Sequence, residues 1–210
     1  MVGGFVIGVL RGLLRNKPGM ALAAGESPRA WALRYSIPEP LIRLWMGAYG
    51  RESTQKLLEA FTQKAGLYVR ANTTKATGEQ LRARLAEEEV TCSVLADPAG
   101  AVLLEGCGSP TALGAFREGL FHIQDISSQL CVAALDPRPG KTVCDCCAAP
   151  GGKSFTIAQH MGGSGKVYAF DLHESRVGLI REGAKRLGLA NIEAKAHDAL
   201  QGFWEFAQFS

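Results

Sequence analysis

The sequence predicts an α/β protein, with an open parallel sheet in its C-terminal part, a small α+β domain before it and helices at the N-terminus. Two observations lead to this prediction. From residue 126 onwards, helical and β-prone segments alternate with short loops, which is typical of right-handed βαβ crossovers. Across residues 66–124 a β-α-β-β pattern is followed by one more β-prone segment, which is typical of a small α+β domain.

The composition is that of an ordinary globular protein. The 210 residues suffice for one large domain or two small ones, and 47% apolar against 20% charged residues excludes wholesale disorder. The net charge of +3 is too small to identify a nucleic-acid partner, although residues 1–60 carry eight Lys or Arg against four Asp or Glu. That basic surplus either faces phosphate or forms a solvated surface.

The sequence predicts a cytoplasmic protein without a membrane span. Six cysteines in 210 residues are too few for a secreted disulfide framework, so we expect six reduced thiols. The apolar N-terminal segment is interrupted by Arg11, is too short to cross a membrane and lacks the basic leader of a signal peptide.

The N-terminal region is predicted to be helical. Phe5, Val9 and Leu13 recur at helical spacing in a helix that ends near Arg15, and we expect its apolar face to be buried as the last helix of something longer. The turn residues that follow are Asn16, Pro18 and Gly19. Residues 38–50 and 51–64 form two further helices, separated at Gly50, which indicates an αα-hairpin in a linker region.

The small α+β domain is predicted element by element. Residues 66–74 form a strand, and residues 77–89 a helix in which Thr77 and Gln80 have the spacing of a capping box. Residues 90–106 form two strands around an Asp-Pro-Ala-Gly turn, and residues 119–125 form one more strand.

The parallel sheet is predicted from six alternating segments. They are a helix at 126–136, a strand at 141–148, a helix at 151–161, a strand at 165–172, a helix at 173–189 and a strand at 191–199. A sheet of three strands is open on one side, and we therefore expect the chain to be a piece of a longer protein.

The sequence CDCCAAPGGKS, residues 144–154, lies at the first turn from strand to helix. Metal binding is disfavoured, because Cys144, Cys146 and Cys147 lack the paired spacing of zinc ligands. Cys144 is better explained as a small core residue. A phosphate-binding loop for ATP or GTP is also disfavoured, because Cys147 replaces its first glycine and Pro150 removes a backbone donor.

A site for a nucleotide-containing cofactor fits this loop better. Gly151 and Gly152 allow close approach of the backbone, and the N-terminus of the next helix favours a carboxylate or a phosphate. Asp171 and Asp198 follow the next two strands, where acidic side chains accept hydrogen bonds from ribose hydroxyls or lie beside adenine. The residues leave open whether the ligand is S-adenosylmethionine or a dinucleotide, or whether the loop is a plain tight turn. NAD is disfavoured because G-x-G-x-x-G is missing.

Four segments resemble one known family. CAAPGGK at 147–153 resembles the cofactor loop of ribosomal RNA cytosine-C5 methyltransferases of the Sun/Nop type, and FHIQDISSQL at 121–130 is similar to the segment that leads into their catalytic domain. LYVRANTTK at 67–75 resembles their small RNA-facing domain. FVIGVLRGLLR at 5–15 is similar to the last helix of the antitermination-factor-like domain of the bacterial branch.

The resemblance implies a fold and a site. The fold is the first half of a Rossmann-like S-adenosylmethionine-dependent methyltransferase sheet, preceded by an RRM-like domain and a helical remnant. The implied cofactor-binding residues are Cys147, Ala148, Ala149, Pro150, Gly151, Gly152, Lys153, Asp171 and Asp198. Asp171 would hold the ribose, Asp198 would lie by the adenine, and Lys153 would meet the methionine carboxylate. Arg70 and Asn72 match the RNA-facing pattern and are the implied RNA contacts.

The resemblance also implies a domain division and a reaction. Residues 1–35 would be the helical remnant and linker, 36–124 the hairpin with the RNA-facing domain, and 125–210 the half methyltransferase domain. Methylation of cytosine C5 needs a thiolate at C6 and a base for the C5 proton. The family takes two cysteines for these steps from loops after the fourth and fifth strands, so we expect the nucleophile beyond Ser210, no catalytic residue within the chain, and an inactive fragment.

The expected partner is ribosomal RNA of the small subunit, bound by a monomer that needs no metal and no membrane. Two other functions stay open. One is an RNA-binding remnant without activity, which the basic N-terminal residues and the early end of the chain suggest. The other, half of an NAD-dependent oxidoreductase domain, is disfavoured by the missing third glycine.

Overall fold

In the computed structural model the chain divides into two compact units, residues 1–65 and 66–210. The structure describes residues 2–15 and 25–202. The predicted division at residues 35 and 124 does not coincide with the boundary between these units, because the small α+β domain and the parallel sheet share the second one. The three-part division into functional domains stays a prediction.

The first unit is helical. Its helices are α1 (Val2–Arg15), α2 (Pro28–Tyr35) and α3 (Glu39–Thr62). Helix α3 is broken at Gly50, which has φ 77° and ψ 169°, and the rings of Trp45 and Phe61 stack with centroids 5.7 Å apart. Residues 16 positions apart can meet only if the helix folds back, so the predicted αα-hairpin is confirmed. Trp31 of α2 packs against its buried core.

Helix α2 was not predicted, although its start carries a clear signal. Ser27 is the N-cap, its hydroxyl accepts a hydrogen bond from the Ala30 N–H at 3.1 Å, and Pro28 occupies the first helical position. Helix α1 is confirmed as a helix, but Phe5 is 74% and Leu14 is 67% exposed, so its expected buried face is not formed within the described residues. The predicted turn at Asn16, Pro18 and Gly19 lies outside the described residues.

The small α+β domain opens the second unit. Its elements are β1 (Leu67–Ala71), α4 (Gly78–Ala86), β2 (Thr91–Val94), β3 (Ala101–Glu105), α5 (Gly114–Arg117) and β4 (Phe121–Ile123). The strands form an antiparallel sheet in the order β2-β3-β1-β4. Its core includes Val69, Leu81 and Phe121, and the predicted capping box of Thr77 and Gln80 is present. Helix α5 and a 3-10 turn at Pro110–Ala112 were not predicted.

The parallel sheet completes the second unit as predicted. Its elements are α6 (Ile126–Leu135), β5 (Thr142–Asp145), α7 (Gly152–His160), β6 (Lys166–Asp171), α8 (Glu174–Leu187) and β7 (Ile192–Ala196), with a 3-10 turn at Ala199–Gln201. The strand order is β5-β6-β7, and both pairs are parallel. The predicted fold class is confirmed, and the carboxyl ends of all three strands meet at one edge.

The core of this sheet is formed by apolar side chains from its helices and strands. Val167 and Ala169 of β6 are fully buried and pack with Ile157 of α7 and with Ile180 and Leu187 of α8. Burial of this set holds α7 and α8 on the sheet and fixes the loops at its carboxyl edge. Among residues 2–15 and 25–202, no helix combines the length and apolarity that crossing a bilayer requires.

Candidate cofactor site

The loop of residues 146–151 joins β5 to α7 at the carboxyl edge of the sheet. Its backbone is tied to the next strand, because the Ala148 N–H donates to the carbonyl oxygen of Phe170 at 2.8 Å. A second bond, from the Gly151 N–H to the Ala148 carbonyl at 2.7 Å, closes the turn. The loop is therefore held in one shape by the main chain.

Gly151 makes the sharp entry into α7 possible. It has φ 113°, and a Cβ atom there would lie 2.2 Å from Cζ of the Phe155 ring. Any other residue would suffer both a strained backbone and a clash. Gly151 is the N-cap, and no side chain accepts a hydrogen bond there, so the positive end of the α7 dipole remains open to a ligand.

Asp145 fixes the loop from the end of β5, a role that sequence reasoning missed. Its Oδ2 accepts a hydrogen bond from the Ser154 hydroxyl at 2.8 Å, and its Oδ1 accepts one from the Cys147 N–H at 3.4 Å. One carboxylate thus connects strand, loop and helix. The available signal was an aspartate at the last position of a strand, followed by a serine in the first turn of the next helix.

Asp171 lies beside the loop, as predicted. It is 4% exposed, and its Oδ2 accepts a hydrogen bond from the Ala149 N–H at 3.2 Å. Arg176, which sequence reasoning also missed, places Nη1 3.5 Å from Oδ1 of Asp171 and donates from Nη2 to the Ala149 carbonyl at 3.4 Å. The carboxylate of Asp171 is therefore positioned by the loop and by Arg176.

Asp198 follows β7 at the same edge. Its Oδ1 accepts a hydrogen bond from the Leu200 N–H at 2.9 Å, which fixes a short turn. The preceding residue, His197, donates its N–H to the Asp171 carbonyl at 3.0 Å, so the ends of β6 and β7 are joined. The structure therefore brings Asp171, Asp198 and the loop of residues 147–153 to one edge.

The cysteines of the loop differ in their surroundings. Cys147 is exposed, while the Sγ atoms of Cys144 and Cys146 lie 3.6 Å apart. Burial, together with the hydrogen bond between Cys144 and Cys146, raises the pKa of the Cys144 thiol to about 12. Cys144 is therefore a neutral thiol at physiological pH and unsuited to act as a nucleophile.

Arg70 and Asn72, the expected RNA contacts, are 3% and 0% exposed. Asn72 Nδ2 donates to the carbonyls of Gly119 at 2.9 Å and Leu187 at 2.8 Å. Arg70 donates to the carbonyl of Ala99 at 2.8 Å. Their burial among protein partners argues against the predicted contact with RNA.

Arg70 instead joins β1 to helices α6 and α7, which pack beside the parallel sheet. Its Nη2 lies 2.8 Å from His160 Nε2, and its Nη1 lies 3.3 Å from Gln129 Oε1. Burial and the nearby guanidinium lower the pKa of His160, whose neutral ring accepts from Arg70. Both expected RNA residues therefore connect the small domain to the parallel sheet.

A second polar network joins β4 to α7. The Thr156 hydroxyl lies 2.7 Å from Gln124 Oε1, and His122 Nε2 lies 3.2 Å from the same oxygen. Burial lowers the pKa of His122 to about 3, so its ring is neutral near neutral pH. Sequence reasoning gave His122 no role, because the partner that buries it comes from another part of the chain.

The residues present fit S-adenosylmethionine, the cofactor that the sequence resemblance implied. A glycine-bounded helix N-terminus suits a carboxylate, and acidic side chains stand at two neighbouring strand ends. Within residues 2–15 and 25–202, no cluster of three or more His, Cys, Asp or Glu side chains could hold a metal ion.

Comparison with known proteins identifies the family. The family model for 16S rRNA methyltransferase RsmB/F matches residues 132–206. The model for the ferredoxin-like domain of the RsmF/B-like methyltransferases matches residues 37–109. Together the two models match more than half of the chain.

Curated relatives agree with these models. The chain is 40% identical over 200 residues to a probable ribosomal RNA small subunit methyltransferase B of Bacillus subtilis, covering 94% of this chain and 44% of the relative. It is 32% identical over 208 residues to ribosomal RNA small subunit methyltransferase B of Vibrio cholerae, covering 98% and 46%. The chain spans about half the length of the curated relatives it matches.

Solved structures agree as well. A methyltransferase homolog protein from Pyrococcus horikoshii has a TM-score of 0.77 at 30% identity, covering 89% of this chain and 61% of the other. NSun6 from the same organism, solved with SFG, has a TM-score of 0.74 at 18% identity and covers 78% and 66%, which shows the shared fold. The chain belongs to the RsmB/F family of ribosomal RNA methyltransferases.

Proposed function

We propose that the chain holds the S-adenosylmethionine site of an enzyme that methylates C5 of cytosine in small-subunit ribosomal RNA. One observation carries the proposal. The loop of residues 147–153, Asp171 and Asp198 converge at the carboxyl edge of a parallel sheet, in a chain of the RsmB/F family. The relatives named as small-subunit methyltransferases support the choice of RNA.

The residues of the site would share the work of binding. S-adenosylmethionine supplies an activated methyl group on its sulfonium. Asp171 would accept hydrogen bonds from the ribose hydroxyls, and Asp198 would lie beside the adenine edge. Lys153 and the open N-terminus of α7 would attract the carboxylate of the methionine. The fixed main chain of the loop orients the ligand without rearrangement.

The nucleophile for cytosine C6 would come from outside residues 1–210, and the chain alone would be inactive. The high pKa of Cys144 argues only against this residue as the nucleophile, because its thiol is not ionised near neutral pH. Cys147 belongs to the cofactor loop itself and would face the cofactor. We keep a cytoplasmic location and a monomeric state as predictions.

Calorimetric titration of the 210-residue chain with S-adenosylhomocysteine, with NAD as the control ligand, tests the cofactor assignment. Binding of S-adenosylhomocysteine alone is the expected result. Binding of NAD would favour a dinucleotide site, and binding of neither would contradict a formed cofactor site.

A second experiment separates an enzyme from an RNA-binding remnant. The gene sequence after the codon for Ser210 either continues in frame or stops. An open frame that encodes further strands, with a cysteine at the end of the fourth, would favour the methyltransferase. A stop codon would favour the remnant.

A further inference from the structure

A cavity of about 180 Å³ lies between the end of β4 and the cofactor loop. Gln124, Asp125 and Ser128 line one side, and the loop lines the other with Ala149, Gly152 and Lys153 among its residues. All of them belong to the second compact unit. Gln124 is held by β1, since its N–H donates to the Tyr68 carbonyl at 3.2 Å.

Gln124 presents an unused donor at this cavity. The residue is 5% exposed, and its Nε2 is buried without a hydrogen-bond partner. Its Oε1 is fixed from the other side by the Thr156 hydroxyl at 2.7 Å and by His122 Nε2 at 3.2 Å. Because the oxygen is held by these two groups, the amide nitrogen is the end of the side chain that is left without an acceptor. A buried amide N–H without an acceptor is costly, and a bound ligand would supply one.

Gly152 keeps the space in front of this donor open. A Cβ atom at position 152 would lie 3.6 Å from Cγ and 3.8 Å from Nε2 of Gln124, within van der Waals contact. The N–H groups of the nine-residue helix α7 begin at the same point, and its N-cap has no side-chain acceptor. Three features therefore favour an anion here: a buried amide donor, a helix N-terminus and Lys153.

The opposite charge is present at the same cavity. The carboxylate of Asp125 accepts hydrogen bonds from the Ser127 N–H at 2.8 Å and from the Ser127 hydroxyl at 2.5 Å. Asp125 lines the same cavity as Gln124 and Lys153. A cavity lined by both hydrogen-bond donors and a carboxylate fits a zwitterionic α-amino acid, with its carboxylate at Gln124 and its ammonium group towards Asp125.

We propose that Gln124 Nε2 donates a hydrogen bond to the α-carboxylate of the amino-acid end of the bound cofactor. This inference rests on the proposed function, because it places one end of S-adenosylmethionine. Gln124 is then a specificity residue that the small α+β domain contributes to the cofactor site. A nucleoside without the amino-acid end would bind independently of it.

Two ligands and two substitutions test the proposal in the 210-residue chain. The ligands are S-adenosylhomocysteine and 5′-methylthioadenosine, which lacks the amino-acid end. Gln124→Glu keeps the oxygen that Thr156 and His122 hold and replaces only the donor. Gln124→Met removes the donor without adding charge, and carries the test if the buried carboxylate unfolds the chain. Gln159→Met is the matched control, because Gln159 is also buried, at 4% exposure, but does not line the cavity.

We expect both Gln124 variants to bind S-adenosylhomocysteine about 10- to 100-fold more weakly, the effect of one lost hydrogen bond to a charged group. Their affinity for 5′-methylthioadenosine should stay within about threefold, as should both affinities of Gln159→Met. Equal losses for the two ligands, or no loss, would overturn the inference. Tighter binding by Gln124→Glu would also overturn it, because the oxygen would then face the ligand. A wild-type chain that binds neither ligand would instead contradict the cofactor site on which the proposed function rests.

Discussion

The hydroxyl of Ser154, in the first turn of α7, donates a hydrogen bond to Oδ2 of Asp145, the last residue of β5, at 2.8 Å. The bond spans the loop that we assign to the cofactor and fixes the distance between its two ends. Ser154 is fully buried, so water cannot replace the bond. The shape of the loop therefore depends on a polar contact as well as on its glycines.

Substitution of Ser154 by alanine should lower stability. It removes a buried hydrogen bond to a charged group, which costs about 1.5–3 kcal/mol. Urea unfolding measures the change, with Ser164→Ala as the control because Ser164 is exposed in a loop. Equal unfolding midpoints for Ser154→Ala and the wild-type chain would show that the bond does not stabilise the loop.

Substitution of Gly151 by alanine should destabilise the chain and weaken S-adenosylhomocysteine binding together. The residue has φ 113°, and its new Cβ would lie 2.2 Å from Phe155. Backbone strain of this kind costs about 1–3 kcal/mol before the clash is added.

Gly178→Ala is the control for Gly151→Ala. Gly178 lies within α8, and no atom lies within 4 Å of its added Cβ, so alanine should stabilise by about 0.5–1 kcal/mol. Thermal unfolding measures the stability of both variants, and calorimetry measures their affinity for S-adenosylhomocysteine. An unchanged melting temperature for Gly151→Ala would contradict the described loop.

Substitution of Asn72 by alanine should lower the stability of the chain. Two backbone carbonyls, of Gly119 and Leu187, would lose their buried donor, which costs about 2–3 kcal/mol. Asn191→Ala should cost less, because its side chain donates one weaker bond, to the Ala158 carbonyl at 3.4 Å. If Asn72→Ala weakened RNA binding but left the melting temperature unchanged, the result would support the prediction that Asn72 contacts RNA.

Acid should destabilise the second unit through His122. Burial lowers its pKa in the folded state to about 3, whereas an unfolded histidine takes up a proton below about pH 6.5. The contribution of the neutral ring is therefore complete above pH 6.5 and is lost as the pH falls towards 3, by at most about 1.4 kcal/mol per pH unit.

Urea unfolding between pH 7.5 and pH 5 measures this dependence. The free energy of unfolding of His122→Gln should depend less steeply on pH than that of the wild-type chain. The difference in slope should correspond to at most one proton taken up on unfolding. His173→Gln, at an exposed position, should keep the wild-type slope. Identical slopes for His122→Gln and the wild-type chain would contradict a buried neutral ring.

The sequence was sufficient for elements with a clear period or cap. The capping box at Thr77 and the alternation of strand and helix after residue 126 predicted the elements that the structure contains. Short elements were missed: α5 has four residues, too few for a periodic pattern, and the Ser-Pro start of α2 was overlooked.

The candidate site was predicted only where it is local in the sequence. A glycine-rich turn and aspartates at strand ends are visible in one dimension. The burial of Arg70 was not predicted, because a strand residue can point to either face, and the face that it takes is covered by Gln129 and His160. The orientation of the Gln124 side chain likewise depends on Thr156, which is 32 residues away in the sequence and binds its amide oxygen.

The affinity of the 210-residue chain for S-adenosylhomocysteine, measured by calorimetry with and without Asp171→Ala, tests the central claim most directly. Asp136→Ala, at an exposed helix end, serves as the control. We predict that the wild-type chain and the control bind alike, and that Asp171→Ala binds at least about tenfold more weakly while still unfolding cooperatively. Unchanged binding by Asp171→Ala would contradict the assignment of this edge of the sheet as the cofactor site.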